Sequence, residues 1–174
     1  MPVSVITPRG LARLGQPLRA LVAGVLRCEG RRAGEIAVVL ADDTLLRRTN
    51  RDWRGIDRAT DVISFAYDEH EPEAHRLPVR GDLLVSLDRV QTQARRYRVT
   101  PGAELARLVA HGTLHLCGHD HAVAAERRIM REREATALRG ARSRVRELDR
   151  VLATSEGKRG RGGRSAPVRA PRRV

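Results

Sequence analysis

Residues 100–118, TPGAELARLVAHGTLHLCG, read as a single helix with both ends marked. Thr100 is a good N-cap. Pro101 suits the first helical position, where no amide hydrogen is required. Gly118 provides a stop that tolerates left-handed backbone. The predicted helix carries His111 and His115 four residues apart, hence side by side on one face near its C-terminus. A sharp turn at Gly118 then allows His121 to swing back toward the same point. Any fold for this chain has to be built around that helix and its terminal turn.

The flanking segments predict the rest of the domain. PVSVIT alternates apolar and polar residues and reads as a short strand. In PLRALVAGVLRCEG, Leu18, Leu21, Val22, Val25 and Leu26 share one helical face, and Gly30 ends the helix. EIAVVLA (35–41) is a continuous apolar run and reads as a central strand. Asp42 or Asp43 caps a helix carrying Leu45, Leu46, Thr49 and Trp53. TDVISFA (60–66) and GDLLVSL (81–87) read as further strands, separated by a polar loop over 68–80. Asp88 is the expected cap of the helix DRVQTQARRYR. A long charged helix follows His121, with Gly140 as a point of interruption. Four strands and about five helices in mixed order predict an α+β fold over residues 2–152: one domain with a small mixed four-stranded sheet packed with helices. Residues 153–174, rich in Gly, Pro and Arg, predict a disordered basic tail.

Composition narrows the function. Of 174 residues, 2% are aromatic, so the core rests on Leu, Val, Ile and Ala. No apolar run is long enough to span a bilayer. The N-terminus lacks the pattern of a signal peptide, which predicts a cytoplasmic protein with Cys28 and Cys117 reduced. The net charge is +13 and Lys158 is the only lysine, so the positive charge is almost all guanidinium. That balance suits a polyanionic partner such as nucleic acid, or reflects solvated arginine-rich faces. The tail from Ser155 onward holds seven basic residues against one acidic and suits salt-sensitive RNA contact or an inert extension.

An isolated helical histidine is ordinarily a core or surface residue. Of the six histidines here, four lie in HGTLHLCGHDH, residues 111–121. His111, His115 and His121 fit H-x-x-x-H-x-x-G-x-x-H, which predicts a metal site at the end of the central helix. Three imidazoles around a tetrahedral centre leave a fourth position open, as in catalytic zinc sites. Zinc lowers the pKa of a bound water to about 7, and nickel or cobalt would fit the same ligands. His119 is expected to face solvent or substrate. Asp120 suits either a hydrogen bond to a ligand histidine or a place in the turn. Cys117 is expected to pack inward. The spacing is that of a zinc protease, but Gly112 stands where its general-base Glu would be, and no Met-turn follows. Gly112 instead leaves room for substrate or for close packing. Upstream, in NRDWRGIDRATDVISF (50–65), Arg54 and Arg58 read as loop cations able to clamp phosphate, or as surface charge.

Together the two motifs resemble the YbeY family of bacterial endoribonucleases, also called rRNA maturation factors. HGTLHLCGHDH matches that family's H-G-x-L-H-L-x-G-x-D-H at every fixed position. NRDWRGIDRATDVISFA is similar to N-x-x-Y-R-x-x-D-x-P-T-D-V-L-S-F-P, with Trp53, Ala59, Ile63 and Ala66 as the departures. GDLLVS followed by Gln93-Ala94 matches a third stretch. The resemblance spans about residues 35–140. It implies a single-strand-specific endoribonuclease with one Zn2+, acting in 16S rRNA 3′-end processing and ribosome quality control. It implies His111, His115 and His121 as metal ligands and Arg54 as an RNA-binding, catalytic residue. The implied partners are single-stranded rRNA and ribosomal particles, with ribosomal proteins or a GTPase as further candidates and no membrane. Two rival functions fit parts of the sequence. One is another zinc hydrolase, such as a protease. The other is a ribosome assembly factor with a structural zinc.

Overall fold

The structure, a computed structural model, describes residues 2–68, 71, 73–120 and 123–159, with side chains as far as 154. Among the described residues four strands are formed: β1 (Val3–Ile6), β2 (Ala33–Ala41), β3 (Val62–Ala66) and β4 (Val79–Ser86). Six α-helices accompany them: α1 (Gly15–Cys28), α2 (Asp43–Arg54), α3 (Leu87–Tyr97), α4 (Pro101–Leu116), α5 (Ala124–Arg139) and α6 (Arg142–Arg159). The sheet order is β1-β2-β4-β3. β1, β2 and β4 run parallel, and β3 pairs antiparallel to β4 at one edge. The fold is therefore the expected α+β domain with a mixed four-stranded sheet, and the apolar strand β2 is central as its composition predicts.

Strand alternation divides the core between the two faces of the sheet. Ile36, Val38 and Leu40 of β2 and Leu83 and Val85 of β4 face the main core with α1, α4 and α6. Ala41, Leu84 and Ile63 face the other way, onto Leu46 of α2. The predicted stripe of α1 is buried throughout: Leu18, Leu21, Val22, Val25 and Leu26 are at most 2% exposed. Helix α4 is buried almost all round and touches α1, α3, α5, α6, β3 and β4. A helix buried on nearly every side has to be the one the others pack around.

The caps largely follow the sequence. Asp42 accepts from Leu45 N, and Thr100 accepts from Ala103 N. The start of α3 differs: Ser86 is the cap, accepting from Arg89 N, and Asp88 sits inside the first turn. Asp88 instead accepts from Asp43 N across the helix interface. Gly140 does interrupt the charged C-terminal segment, so six helices form where about five were expected. Helix α6 runs on to Arg159, past the domain boundary expected at 152; residues 160–174 lie outside the described residues. Trp53 shares the helical spacing of Leu46 and Thr49 but not their burial. It is 54% exposed, its ring 5.4 Å from Phe65 at the sheet edge.

The N-terminus of α4 is closed by a residue far along the chain. Asp149 of α6 accepts from Gly102 N at 2.7 Å and from Thr100 Oγ1 at 2.8 Å. Gly102 is needed there, because a Cβ would stand 2.7 Å from the backbone nitrogen of Asp149.

Candidate active site

The C-terminus of α4 opens into a cleft of about 780 Å³. Its walls come from the end of α2, strand β3, the start of β4, the segment 74–80 and the turn after α4. Gly118 (φ 94°) makes that turn, donating its amide to His115 O while His119 N reaches Leu114 O. Arg31 ties the opposite wall down by donating to Cys117 O, Ala74 O and Leu77 O. Its guanidinium is thus engaged with backbone carbonyls that shape the cleft.

His111 and His115 both face this cleft, and their Nε2 atoms stand 3.1 Å apart. Two bare imidazole lone pairs would repel at that distance, so a hydrogen or a cation has to lie between them. Ligand nitrogens about 2.0–2.1 Å from a tetrahedral zinc are roughly 3.3–3.4 Å apart, so the pair suits two corners of such a site. His121, the third expected ligand, lies outside the described residues. Among the described residues no group of three His, Cys, Asp or Glu side chains is set to hold a metal. The Cys117 thiol is pushed up to about 11, chiefly by burial, so it stays protonated at neutral pH and packs in the wall as expected.

Arg54 lines the same cleft, whereas Arg58 is not among its lining residues. By sequence Arg54 reads as a loop residue. It is the last residue of α2, which ends at Gly55 in left-handed conformation. A helix end is a stiffer mount for a cation than a loop.

Three carboxylates that the sequence reading passed over organise the floor. Glu134 of α5 places Oε1 2.6 Å from His111 Nδ1. Glu29, at the end of α1, places Oε2 2.7 Å from His119 Nε2. His119 therefore lines the cleft as expected, but with its ring held from behind. Asp61 accepts from Gln93 Nε2 and from the amide of Val62. Burial alone would raise the Asp61 carboxyl, but these bonds and one from Thr60 outweigh it and hold it below the usual range. Gln93 in turn accepts from Arg107, which is clamped by Glu104, itself 2% exposed. Glu134 had a legible signal. It lies between Met130 and Ala137 on the inward stripe of α5, and an acidic residue on such a stripe needs a partner.

Gly112 is resolved by packing. A Cβ at this position would stand 2.9 Å from Leu83 Cδ2 and 3.2 Å from Val62 Cγ2. Position 112 thus points into the sheet, not into the cleft, and a general base could not operate from it. Of the two roles open to Gly112, the structure shows close helix–sheet packing.

Imidazoles, a carboxylate and an arginine facing one open cleft in a small α+β domain are the equipment of a class, the hydrolases that act on anionic substrates. The protein-family comparison agrees. The model for "Endoribonuclease YbeY" matches residues 12–142. The chain is 42% identical over 132 residues to Endoribonuclease YbeY of Anaeromyxobacter sp. strain Fw109-5, covering 76% of this chain and 67% of that one. It is 38% identical over 145 residues to the Pelotomaculum thermopropionicum protein of the same name, covering 79% and 95%. Against the Anaeromyxobacter dehalogenans relative, 44% identical, it spans 65% of the relative's length. Among solved structures, a Thermotoga maritima protein known from its solution structure shares the fold, with a TM-score of 0.55. That match is 24% identical and covers 90% of this chain and 95% of the other. The chain belongs to the Endoribonuclease YbeY family, which supports an endoribonuclease role and hence a nuclease and hydrolase.

Proposed function

We propose that this protein is a zinc-dependent endoribonuclease that cuts single-stranded RNA and acts in rRNA maturation, at the 16S rRNA 3′ end, and in ribosome quality control. The observation that carries the reading is the convergence of Arg54 and the His111–His115 pair on one cleft. His111, His115 and His121 would hold one zinc ion. When bound, zinc would supply Lewis acidity to the scissile phosphate and to water. Arg54 would donate to the phosphoryl oxygens as charge builds on them. Arg80 lines the same cleft, 3.7 Å from Asp68, and would add a second cation for phosphate to meet. The attacking oxygen is water or the RNA 2′-hydroxyl, and a 2′,3′-cyclic phosphate product would identify the latter.

Ribosomal particles, with ribosomal proteins or a GTPase, are the proposed partners, and the cytoplasm the proposed location. Among the described residues no helix is long and apolar enough to cross a membrane. Gly112, turned into the core, weighs against a protease of the H-E-x-x-H type. The test is cleavage of single-stranded rRNA fragments by purified protein, with and without chelator. Metal-loaded protein that leaves RNA intact, together with His115→Ala protein that still supports ribosome maturation, would reduce the role to assembly with a structural metal.

A further inference from the structure

His111 can serve as a metal ligand through Nε2 only if that nitrogen carries a lone pair. A neutral imidazole has one N–H, and its position is set by what the other nitrogen meets. Here the other nitrogen, Nδ1, meets the Glu134 carboxylate at 2.6 Å. A carboxylate only accepts, so the proton belongs on Nδ1, and Nε2 keeps its lone pair, able to accept from His115 or to ligate a metal. The contact is sheltered: the side chains are 21% exposed for His111 and 14% for Glu134. It is also built by packing. Met130 and Ala137 bury against Val25, Ala110 and Leu114, which clamps α5 onto α1 and α4 with Glu134 between its two anchors.

We infer that Glu134 is a positioning residue for the metal site, fixing the tautomer and ring orientation of His111 so that Nε2 faces the metal. The inference rests on the zinc reading above. It assigns α5 a part in the site, although no residue of α5 belongs to the histidine motif. Partners of this kind commonly change metal affinity by about 10–100-fold.

The experiment compares wild type, Glu134→Ala and Glu134→Gln. Zinc affinity is measured by competition with a chromophoric chelator, and thermal unfolding of the metal-free proteins is recorded alongside. The His111 tautomer is read in the metal-free state from long-range ¹H–¹⁵N imidazole spectra. Wild-type His111 should carry its proton on Nδ1, and the alanine variant should lose that preference. Zinc binding should weaken about 10–100-fold in both variants. Glu134→Gln keeps the volume and the fold if the alanine variant does not. A folded variant with wild-type zinc affinity, or a wild-type His111 protonated on Nε2, would overturn the assignment. Wild-type protein that takes up no zinc would instead remove the metal reading beneath it, and the tautomer would still judge the Glu134 contact.

Discussion

Replacing Gly112 with Glu would restore the protease-like H-E-x-x-H order, and the packing predicts that it damages the fold instead. The new Cβ would meet Leu83 Cδ2 at 2.9 Å and Val62 Cγ2 at 3.2 Å, and Leu83 is fully buried with little room to yield. Overpacking of this kind costs about 1–3 kcal/mol. A carboxyl entering an apolar site without a partner adds about 1–3 kcal/mol. Exchanging Gly for Glu in a helix interior offsets roughly 0.5–1 kcal/mol. The net loss is about 1–5 kcal/mol, and a central value near 3 lowers the melting midpoint by roughly 6–12 °C in a domain of this size. Gly112→Ala carries the steric and propensity contributions alone, so it should lose only about 0–2 kcal/mol by the same reasoning. The pH-dependent part of the difference between the two variants isolates the carboxyl, because the methylenes do not titrate. Burial raises its folded-state pKa above the unfolded value, so the folded state binds more protons. The gap between the variants should therefore be small below about pH 4, near the unfolded Glu value, and widen as pH rises. Thermal unfolding followed by circular dichroism from pH 4 to 8 measures all of this. A Gly112→Glu protein that melts with wild type, at every pH, would refute the placement of position 112 against the sheet.

Other outcomes follow from the site. Arg54→Ala should lower the rate of RNA cleavage by about 10²-fold or more, the usual effect of losing one charge-stabilising donor, while bound zinc, measured by elemental analysis, stays unchanged. Asp61 is held below its normal range, so its contribution to stability is present above the unfolded pKa near 3.9 and is lost as pH falls through the folded value. Asp61→Asn should flatten the acid limb of the stability curve, read by urea unfolding between pH 2 and 5. Tyr67 is pushed up to about 12 by burial and by its bond to Asp82. In a Tyr97→Phe background, the phenolate absorbance of Tyr67 should therefore rise near pH 12, and a transition near 10 would contradict the contact.

Much of the architecture was legible because local signals agreed. Thr100, Pro101 and Gly118 bounded α4, the apolar stripe of α1 named its buried face, and the unbroken run of β2 placed it centrally. The misreadings have identifiable causes. Ser86 and Asp88 are both acceptable caps, and strand β4, by ending one residue before Leu87, selects Ser86. Arg54 reads as a loop residue because its neighbours are polar, although Gly55 is a good helix terminator and does end α2. Trp53 follows the periodicity of α2, but the sheet ends at β3 and leaves its ring beyond the core. Half of the site was readable as spacing, because His111 and His115 are neighbours along one helix. The carboxylates were not, since Glu134 lies 23 residues from His111 and Glu29 lies 90 from His119. Only tertiary packing brings such pairs together.

The closure of α4 by Asp149 sets an order of assembly. Thr100 and Gly102 precede their partner by 49 and 47 residues. A chain synthesised from its N-terminus at about 5–20 residues per second extends the histidine helix roughly 2–10 s before that partner exists. During this interval the Gly102 amide and the Thr100 hydroxyl have no carboxylate to meet them, and the apolar faces that α6 will cover are bare. The helix that carries the site is thus made early and finished late, and a chain cut before residue 149 would never finish it.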